Sequence, residues 1–235
     1  MKKGKLYLLP NNLGEYNNNL VIPSEVIAKT LQIRFFAVEN VKNARRFLKS
    51  LATTFPIDDS HFIDLNKRTS HFDLIEIIEV LKNGNDVGIL SEAGCPGIAD
   101  PGTILVSLAH KEKIRVIPFV GPSSILLSIM SSGLSGQNFV FHGYLSKDRI
   151  LRVKEIRKIE NDALKTGYTH VFIETPYRNN NIFQDLIHNL KNETNLSVAS
   201  NITLKDEKIK TMSVMEWKKE KINIGKNPTV YLIGK

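Results

Sequence analysis

Two loops rich in glycine and proline, each placed after a short apolar run, constrain the fold of this chain most. The first (residues 91–102, SEAGCPGIADPG) follows the run at residues 87–90, and the second (residues 121–124, GPSS) follows the run at residues 116–119. Short apolar runs are typical of buried parallel strands. Both loops are therefore expected at the carboxyl ends of strands, where open α/β sheets bind ligands. Each loop taken alone could be only a tight turn between a strand and a helix.

The first half of the chain alternates between apolar runs and helical stretches, which predicts a parallel sheet with helices around it. Strands are predicted at residues 6–9 and 35–38, and a helix at residues 41–50. The loop at residues 10–19 is rich in asparagine and is expected to be exposed.

One helix of this half shows both its start and its apolar face in the sequence. Ser70 and Asp73 have the spacing of a capping box, which places the start of the helix near Phe72. Its apolar stripe is predicted to consist of Leu74, Ile75, Ile78 and Leu81.

The second half of the chain predicts another α/β domain, this one with a mixed sheet. The alternating and charged patches at residues 205–227 favour an antiparallel hairpin over a further β-α-β unit. We place the domain boundary near residue 119, which gives an N-terminal domain at residues 1–119 and a C-terminal domain at residues 120–235. Strands are predicted at residues 139–142, 169–173, 196–200 and 229–233, and helices at residues 123–131, 150–165 and 179–190.

The composition limits the classes of binding partner that are expected for this chain. The chain of 235 residues has a formal net charge of +8, which favours an anionic partner such as RNA, although many soluble proteins are mildly basic. The single cysteine, Cys95, excludes an internal disulfide, and the six histidines lack metal-ligand spacing. The apolar run at residues 6–9 is too short for a signal peptide, and no run suits a membrane span. We therefore expect a cytoplasmic protein with no metal and no membrane partner.

The order of the motifs carries a family resemblance. SEAGCP at residues 91–96 is followed by DPG at 100–102, GPSS at 121–124 and ETPYR at 174–178. In this order they resemble the tetrapyrrole-methylase superfamily, and within it the ribosomal RNA small-subunit methyltransferase I group. The likeness extends over nearly the whole chain. It implies a methyltransferase that uses S-adenosyl-L-methionine, has two α/β domains with the cofactor in the cleft between them, and usually forms a homodimer.

The resemblance also implies which residues contact the cofactor. In the N-terminal half they lie in the two glycine-bearing loops, and in the C-terminal half they follow or precede predicted strands. Because helix starts offer free N–H groups, the second loop can contribute backbone donors. The implied residues are Ser91, Glu92, Cys95, Ile98, Ser123, Ser124, Ile125, Thr175, Pro176, Asn201 and Pro228.

Two carboxylates are candidates for a catalytic base, because a ribose hydroxyl or an amide needs help to become a nucleophile. Glu39 and Glu174 each follow an apolar strand, and Arg178 could bind a phosphate or Glu174. The structural alternatives are a carboxylate at a helix start for Glu39 and an ion pair for Glu174 with Arg178. Asp100 is expected to cap the helix after Gly102. Cys95 could be a nucleophile but is expected to pack against the cofactor.

Two predicted helices carry clusters of basic residues that could follow an RNA backbone or could be solvated helix faces. We therefore expect a methyltransferase acting on RNA, with the ribose 2'-hydroxyl of 16S ribosomal RNA in the small subunit as one possible acceptor. The alternatives are an enzyme of the same fold with a small-molecule or protein acceptor, and a basic RNA-binding relative without activity. The clusters are Lys42, Arg45, Arg46 and Lys49, and Lys147, Arg149, Arg152, Lys154, Arg157 and Lys158.

Overall fold

The computed structural model describes residues 2–14, 18–66, 69–220 and 222–235. It divides into two units, residues 1–123 and 124–235. The division falls four residues beyond the boundary expected near residue 119, because residues 119–122 pack on the first unit. The Phe119 N–H donates to the carbonyl of Leu8, for example. Across the described residues, no helix has both the length and the apolar character needed to cross a bilayer.

The first unit is built on one parallel sheet, as predicted, and its five strands include one at His61–Asp64 that was not predicted from the sequence. Its strands are β1 (Lys5–Leu9), β2 (Phe35–Val38), β3 (His61–Asp64), β4 (Val87–Leu90) and β5 (Arg115–Pro118). Its helices are α1 (Asn18–Val21), α2 (Ser24–Thr30), α3 (Val41–Leu51), α4 (His71–Lys82) and α5 (Thr103–Lys111). The strand order is β3-β2-β4-β1-β5, and every pairing is parallel. All strands therefore end at the same edge.

The structure confirms the capping box predicted at the start of helix α4, but it corrects the apolar stripe predicted for this helix. The Ser70 hydroxyl accepts the Asp73 N–H while the Asp73 carboxylate accepts from Ser70. Leu74 and Ile78 are buried with Leu81, whereas Ile75 is 43% exposed and Ile77 is fully buried. Positions 74, 77, 78 and 81 form the i, i+3, i+4, i+7 series of one helix face, and residue 75 lies about 100° away from residue 74.

The loop after β1 corrects the expectation of an exposed segment. Pro10 and Asn11 are buried, residues 12–14 are half-buried, and α1 begins at Asn18; residues 15–17 lie outside the described part. Asn11 pairs with Gly94 through backbone hydrogen bonds of 2.9 and 3.2 Å. The side chains of Asn11, Asn12 and Asn18 hydrogen-bond to neighbouring protein groups, which composition alone does not indicate.

The second unit has the mixed sheet that the sequence predicts, and the sheet contains five strands. Its strands are β6 (Phe139–Tyr144), β7 (Thr169–Glu174), β8 (Asn195–Ser200), β9 (Lys208–Ser213) and β10 (Thr229–Gly234). Its helices are α6 (Ser124–Ser132), α7 (Arg149–Thr166), α8 (Asn179–Asn189) and α9 (Val214–Trp217), with a 3-10 turn at Pro176–Arg178. The order is β6-β7-β10-β8-β9, in which β6 and β7 are parallel and the other neighbours antiparallel.

The described part of the segment at residues 205–227 pairs antiparallel and forms no β-α-β unit, as predicted, but it does not contain both strands of a hairpin. The described part of this segment supplies one strand, β9, which pairs antiparallel with β8, and then the short helix α9. A capping box of Ser213 and Glu216 starts α9, and the buried Trp217 donates its indole N–H to the carbonyl of Leu196 at 2.8 Å. Trp217 is buried in the core of the second unit, and the segment that carries it is a short helix instead of a second strand.

Candidate active site

The carboxyl edge of the first sheet brings the predicted loops together. Strand register aligns Leu9 with Leu90, and Leu90 with Val38. Glu39, directly after β2, therefore lies beside the start of the loop after β4. The Glu92 N–H donates to Oε1 of Glu39 at 3.2 Å. The candidate base and the first implied cofactor loop are thus in direct contact.

The loop after β4 is held by hydrogen bonds that leave its tip open. The Asn11 side-chain amide donates to the carbonyls of Ser91 and Glu92 at 2.9 and 3.0 Å, and the Ser91 hydroxyl bonds the carbonyl of Gly94 at 3.2 Å. Ser91 is buried and supports the loop, whereas Glu92 and Ile98 are exposed. Sequence reasoning missed Asn11, although its position directly after a buried strand and Pro10 was a signal for it.

The loop after β5 packs closely on its neighbours. A Cβ added at Gly121 would lie 2.1 Å from Cβ of Pro10, so only glycine fits there. The Cys95 thiol lies 3.5 Å from the carbonyl oxygen of Pro122, and burial raises the pKa of this thiol. A protonated thiol facing a carbonyl is a poor nucleophile, which disfavours the nucleophile hypothesis for Cys95. The second loop continues to Ser123, the last residue of this unit.

The prediction that Asp100 caps a helix is wrong. Gly102 is the N-cap of α5, with φ +127° and no side-chain cap hydrogen bond. The Asp100 carboxyl is instead half-buried, and burial together with the charges of Glu39 and Glu92 raises its pKa to about 7. Burial also raises the pKa of Glu39. Among the described residues, Glu39, Glu92 and Asp100 thus bring three carboxyl groups near one another, and a bound cation would offset their repulsion.

A polar cavity of about 470 Å³ opens in the first unit, next to the loop after β4. Carboxamides make up much of its wall, and Arg46 supplies a positive charge. The side chains that line it include Asn11, Asn12, Asn18, Asn43, Arg46 and Glu92. Sequence reasoning placed Arg46 in a basic cluster but did not predict a cavity, because the wall joins three segments that are 25 or more positions apart in the sequence.

Four residues implied to contact the cofactor in the second unit meet at one edge of its sheet. Thr229 pairs with Glu174 on one side and with Ser200 on the other, so the segments after β7 and β8 lie beside the start of β10. Thr175 and Pro176 follow β7, Asn201 follows β8 and Pro228 precedes β10. The Asn201 N–H donates to the carbonyl of Pro228 at 3.0 Å, and Asn201 has φ +52°.

Two further implied residues, Ser124 and Ile125, start helix α6. Ser124 is half-buried, while the side chain of Ile125 is buried in the second unit. Any contact of Ile125 with a ligand would therefore involve its backbone.

Glu174 and Arg178 form an ion pair, which was the structural alternative for them. Their nearest atoms are 2.8 Å apart, and the Glu174 side chain has no exposed surface. Oε1 of Glu174 accepts from the N–H and the hydroxyl of Thr175, while Arg178 donates to the carbonyls of Leu145 and Ser146. The pair holds the segment after β6 against the segment after β7.

Helix α7 offers fewer free charges than its sequence indicates. Arg152 is buried and donates to Asp185 at 2.6 and 2.9 Å, Arg149 bonds the same carboxylate, and Arg157 bonds Asn189. On α3, Arg45 pairs with Asp58 and Lys49 bonds a carbonyl. Within the described residues, Lys42 and Arg46 have no such partner.

Comparisons with known proteins agree with this architecture. The sequence profile of the Tetrapyrrole (Corrin/Porphyrin) Methylases matches residues 35–217. A protein of Synechocystis named ribosomal RNA small subunit methyltransferase I is 30% identical over 85% of this chain and 67% of its own length. The protein of the same name from Vibrio cholerae is 27% identical over 97% of this chain and 76% of its own length.

Solved structures share the fold at low sequence identity. The methyltransferase CobJ matches with a TM-score of 0.64 and 16% identity, covering 99% of this chain and 94% of its own. Diphthine synthase matches with a TM-score of 0.64 and 14% identity, covering 98% and 89%. Uroporphyrin-III C-methyltransferase from Thermus thermophilus, crystallised with S-adenosylhomocysteine, matches with a TM-score of 0.59 and 14% identity, covering 99% and 98%. The chain belongs to the tetrapyrrole (corrin/porphyrin) methylase family and is an S-adenosyl-L-methionine-dependent methyltransferase.

Proposed function

We propose that this enzyme methylates RNA, and that its acceptor is a ribose 2'-hydroxyl of small-subunit ribosomal RNA. The relatives named ribosomal RNA small subunit methyltransferase I, one matching 97% of the chain, carry this proposal. The net charge of +8 and the unpartnered Lys42 and Arg46 on α3 suit a polyanionic substrate.

The cofactor contacts proposed from the resemblance fit the chemistry of the residues. When bound, S-adenosyl-L-methionine supplies a methyl group on a sulfonium cation. The closely packed loops of the first unit are stiff and present backbone N–H and carbonyl groups. Glu39, Glu92 and Asp100 make the electrostatic potential beside the loop after β4 more negative, which favours binding of a cation. The proposed contacts are Ser91, Glu92, Cys95, Ile98 and Ser123 in the first unit, and Ser124, Ile125, Thr175, Pro176, Asn201 and Pro228 in the second.

Glu39 is the better candidate for the general base. Its carboxyl is half-buried with a raised pKa, and it contacts the loop after β4. A base works best when its pKa lies closer to the operating pH, so burial moves Glu39 in the useful direction. Glu174 and Arg178 neutralise each other in the second unit, and we assign them to positioning the segment that carries Thr175 and Pro176.

Association and location are also part of the proposal. We propose a homodimer, because the edge strand β6 exposes Phe139 and Val140, 41% and 37% exposed. A Val140→Lys variant that stays as associated as the unaltered chain in light scattering would argue against this edge. An enzyme of ribosomal RNA acts where ribosomes assemble, so we propose the cytoplasm.

The test is methyl transfer with tritiated S-adenosyl-L-methionine and the purified chain, combined with modified-nucleotide analysis of RNA from cells with and without the gene. We expect label in small-subunit RNA and one 2'-O-methyl nucleotide missing from the cells that lack the gene. Label found in protein or in small molecules, and not in RNA, would show that RNA is not the acceptor. RNA binding with steep salt dependence, but with no cofactor-induced rise in melting temperature, would indicate a relative without activity.

A further inference from the structure

We propose that the polar cavity of the first unit binds one unpaired nucleotide of the RNA acceptor, with its phosphate on Arg46 and its base against the carboxamides. This inference rests on the proposed function and names the subsite through which the acceptor is recognised. The volume of about 470 Å³ lies within the range of about 300–1,000 Å³ common for small-ligand sites.

The wall matches the edge of a base rather than an apolar ligand. Side-chain amides offer both donors and acceptors, which is what the Watson–Crick edge of an unpaired base requires. The wall is already ordered by its own hydrogen bonds. Asn12 donates to Asn18 at 2.7 Å, and Asn18 donates to Ser50 at 2.9 Å. These bonds use only part of the capacity of each amide, so a base can be bound without rearranging the wall.

Arg46 differs from Arg45 and Lys49 on the same helix. Arg45 pairs with Asp58 at 3.2 Å, and Lys49 donates to the carbonyl of Thr53 at 2.9 Å. Arg46 is exposed, lines the cavity and has no partner among the described residues. A guanidinium with free donors is well suited to a phosphate, which it can bind through two parallel hydrogen bonds.

The cavity also adjoins the proposed chemistry. Glu92 belongs both to its wall and to the loop after β4, where its N–H donates to Glu39. Asn43, also in the wall, donates to Oε2 of Glu92 at 2.5 Å. One residue therefore links the nucleotide subsite to the proposed base, which is the arrangement that an acceptor site needs.

The experiment compares Arg46→Met with Arg45→Met in the full chain. Both substitutions remove one positive charge from neighbouring positions of α3, so the general electrostatic attraction for RNA falls equally in the two variants. Of these two arginines, only Arg46 lines the cavity. Calorimetry would measure the binding of cytidine and adenosine 5'-monophosphates and of the parent nucleosides, with S-adenosyl-L-homocysteine as a second ligand.

We expect Arg46→Met to weaken binding of at least one monophosphate about tenfold or more, and Arg45→Met less than about twofold. Binding of the nucleosides should change little in either variant, and the KM for RNA should rise in Arg46→Met with kcat nearly constant. Equal effects of the two variants, or no monophosphate binding by the unaltered chain, would overturn the subsite. If S-adenosyl-L-homocysteine does not bind, or RNA is not methylated, the proposed function fails instead.

Discussion

The two sheet edges that carry the proposed site residues are built differently. In the first unit, the negative charge of Glu39 helps to raise the pKa of Asp100, and among the described residues no basic side chain is hydrogen-bonded to either carboxyl group. In the second unit, Glu174 is neutralised by Arg178, and Asp185 by Arg152. Glu39 and Glu174 both lie at the carboxyl end of a strand, yet of the two only Glu174 has an arginine partner among the described residues, and we propose Glu39 alone as the base. The neighbouring side chains, and not the position at a strand end, separate the two glutamates.

The largest effect is expected from Glu39→Gln. The glutamine oxygen can still accept the Glu92 N–H, but it cannot take a proton, so kcat should fall about 10²- to 10⁴-fold. Affinity for S-adenosyl-L-homocysteine and the melting temperature should change little, whereas affinity for S-adenosyl-L-methionine should fall, because one of the carboxylates that favour its sulfonium is lost. Single-turnover methyl transfer and calorimetry measure the two quantities separately, and an unchanged rate would remove Glu39 from the mechanism.

Glu174→Gln should show the opposite pattern. The substitution leaves Arg178 without its carboxylate in a largely buried place, so the free energy of unfolding should fall by about 3 kcal/mol. The rate per folded molecule should fall less than tenfold. Glu193→Gln, at an exposed position of the same unit, is the matched control and should change stability by less than about 0.5 kcal/mol. A stable Glu174→Gln protein with no activity would assign the base to the second unit.

Asp100→Asn should alter how stability depends on pH. The folded protein holds the Asp100 proton up to a pKa of about 7, whereas the unfolded chain releases it near pH 4. This group therefore lowers the free energy of unfolding as pH rises from about 4 to 7. At pH 8 the variant should be more stable than the unaltered chain by about 1–2 kcal/mol, a value reduced because water screens the half-exposed carboxylate.

Chemical denaturation at several pH values would measure this difference. It should disappear below about pH 3, where Asp100 is protonated in both states. Parallel pH profiles for the two proteins would contradict the raised pKa of Asp100.

The smallest effect is expected in how the binding affinities of the cofactor and of its demethylated product depend on pH. If the carboxylates of the first unit face the sulfonium, affinity for S-adenosyl-L-methionine should rise about threefold to tenfold from pH 6 to pH 8 as Asp100 ionises. S-adenosyl-L-homocysteine has no sulfonium and should bind with little pH dependence over this range. Calorimetry of both ligands measures the ratio, and equal pH dependence would place the sulfonium away from these carboxylates.

The sequence allowed local structure to be predicted well wherever a short pattern determines it. The strands that precede the two loops and the capping box at Ser70 were found because they depend on neighbouring residues. The capping box at Ser213 and Glu216 has the same spacing and could have been found in the same way. The predicted apolar stripe of α4 wrongly included Ile75, because periodicity identifies the buried face of a helix only to within one position.

Features that depend on residues distant in the sequence could not be predicted. Arg152 seemed a surface cation, but Asp185, which lies 33 positions later, makes it part of the core. Asn11 seemed a loop residue, yet it bonds to residues 80 and 81 positions away. The environment of Asp100 likewise depends on Glu39, on a different strand end. Composition and spacing contain no information on such pairs.

A crystal structure of the chain with S-adenosyl-L-homocysteine tests the central claim most directly, namely that the loops after β4 and β5 hold the cofactor. We predict that the nucleoside contacts backbone groups within residues 91–98 and 121–125. A ligand bound elsewhere, with these loops covered by side chains, would contradict the claim.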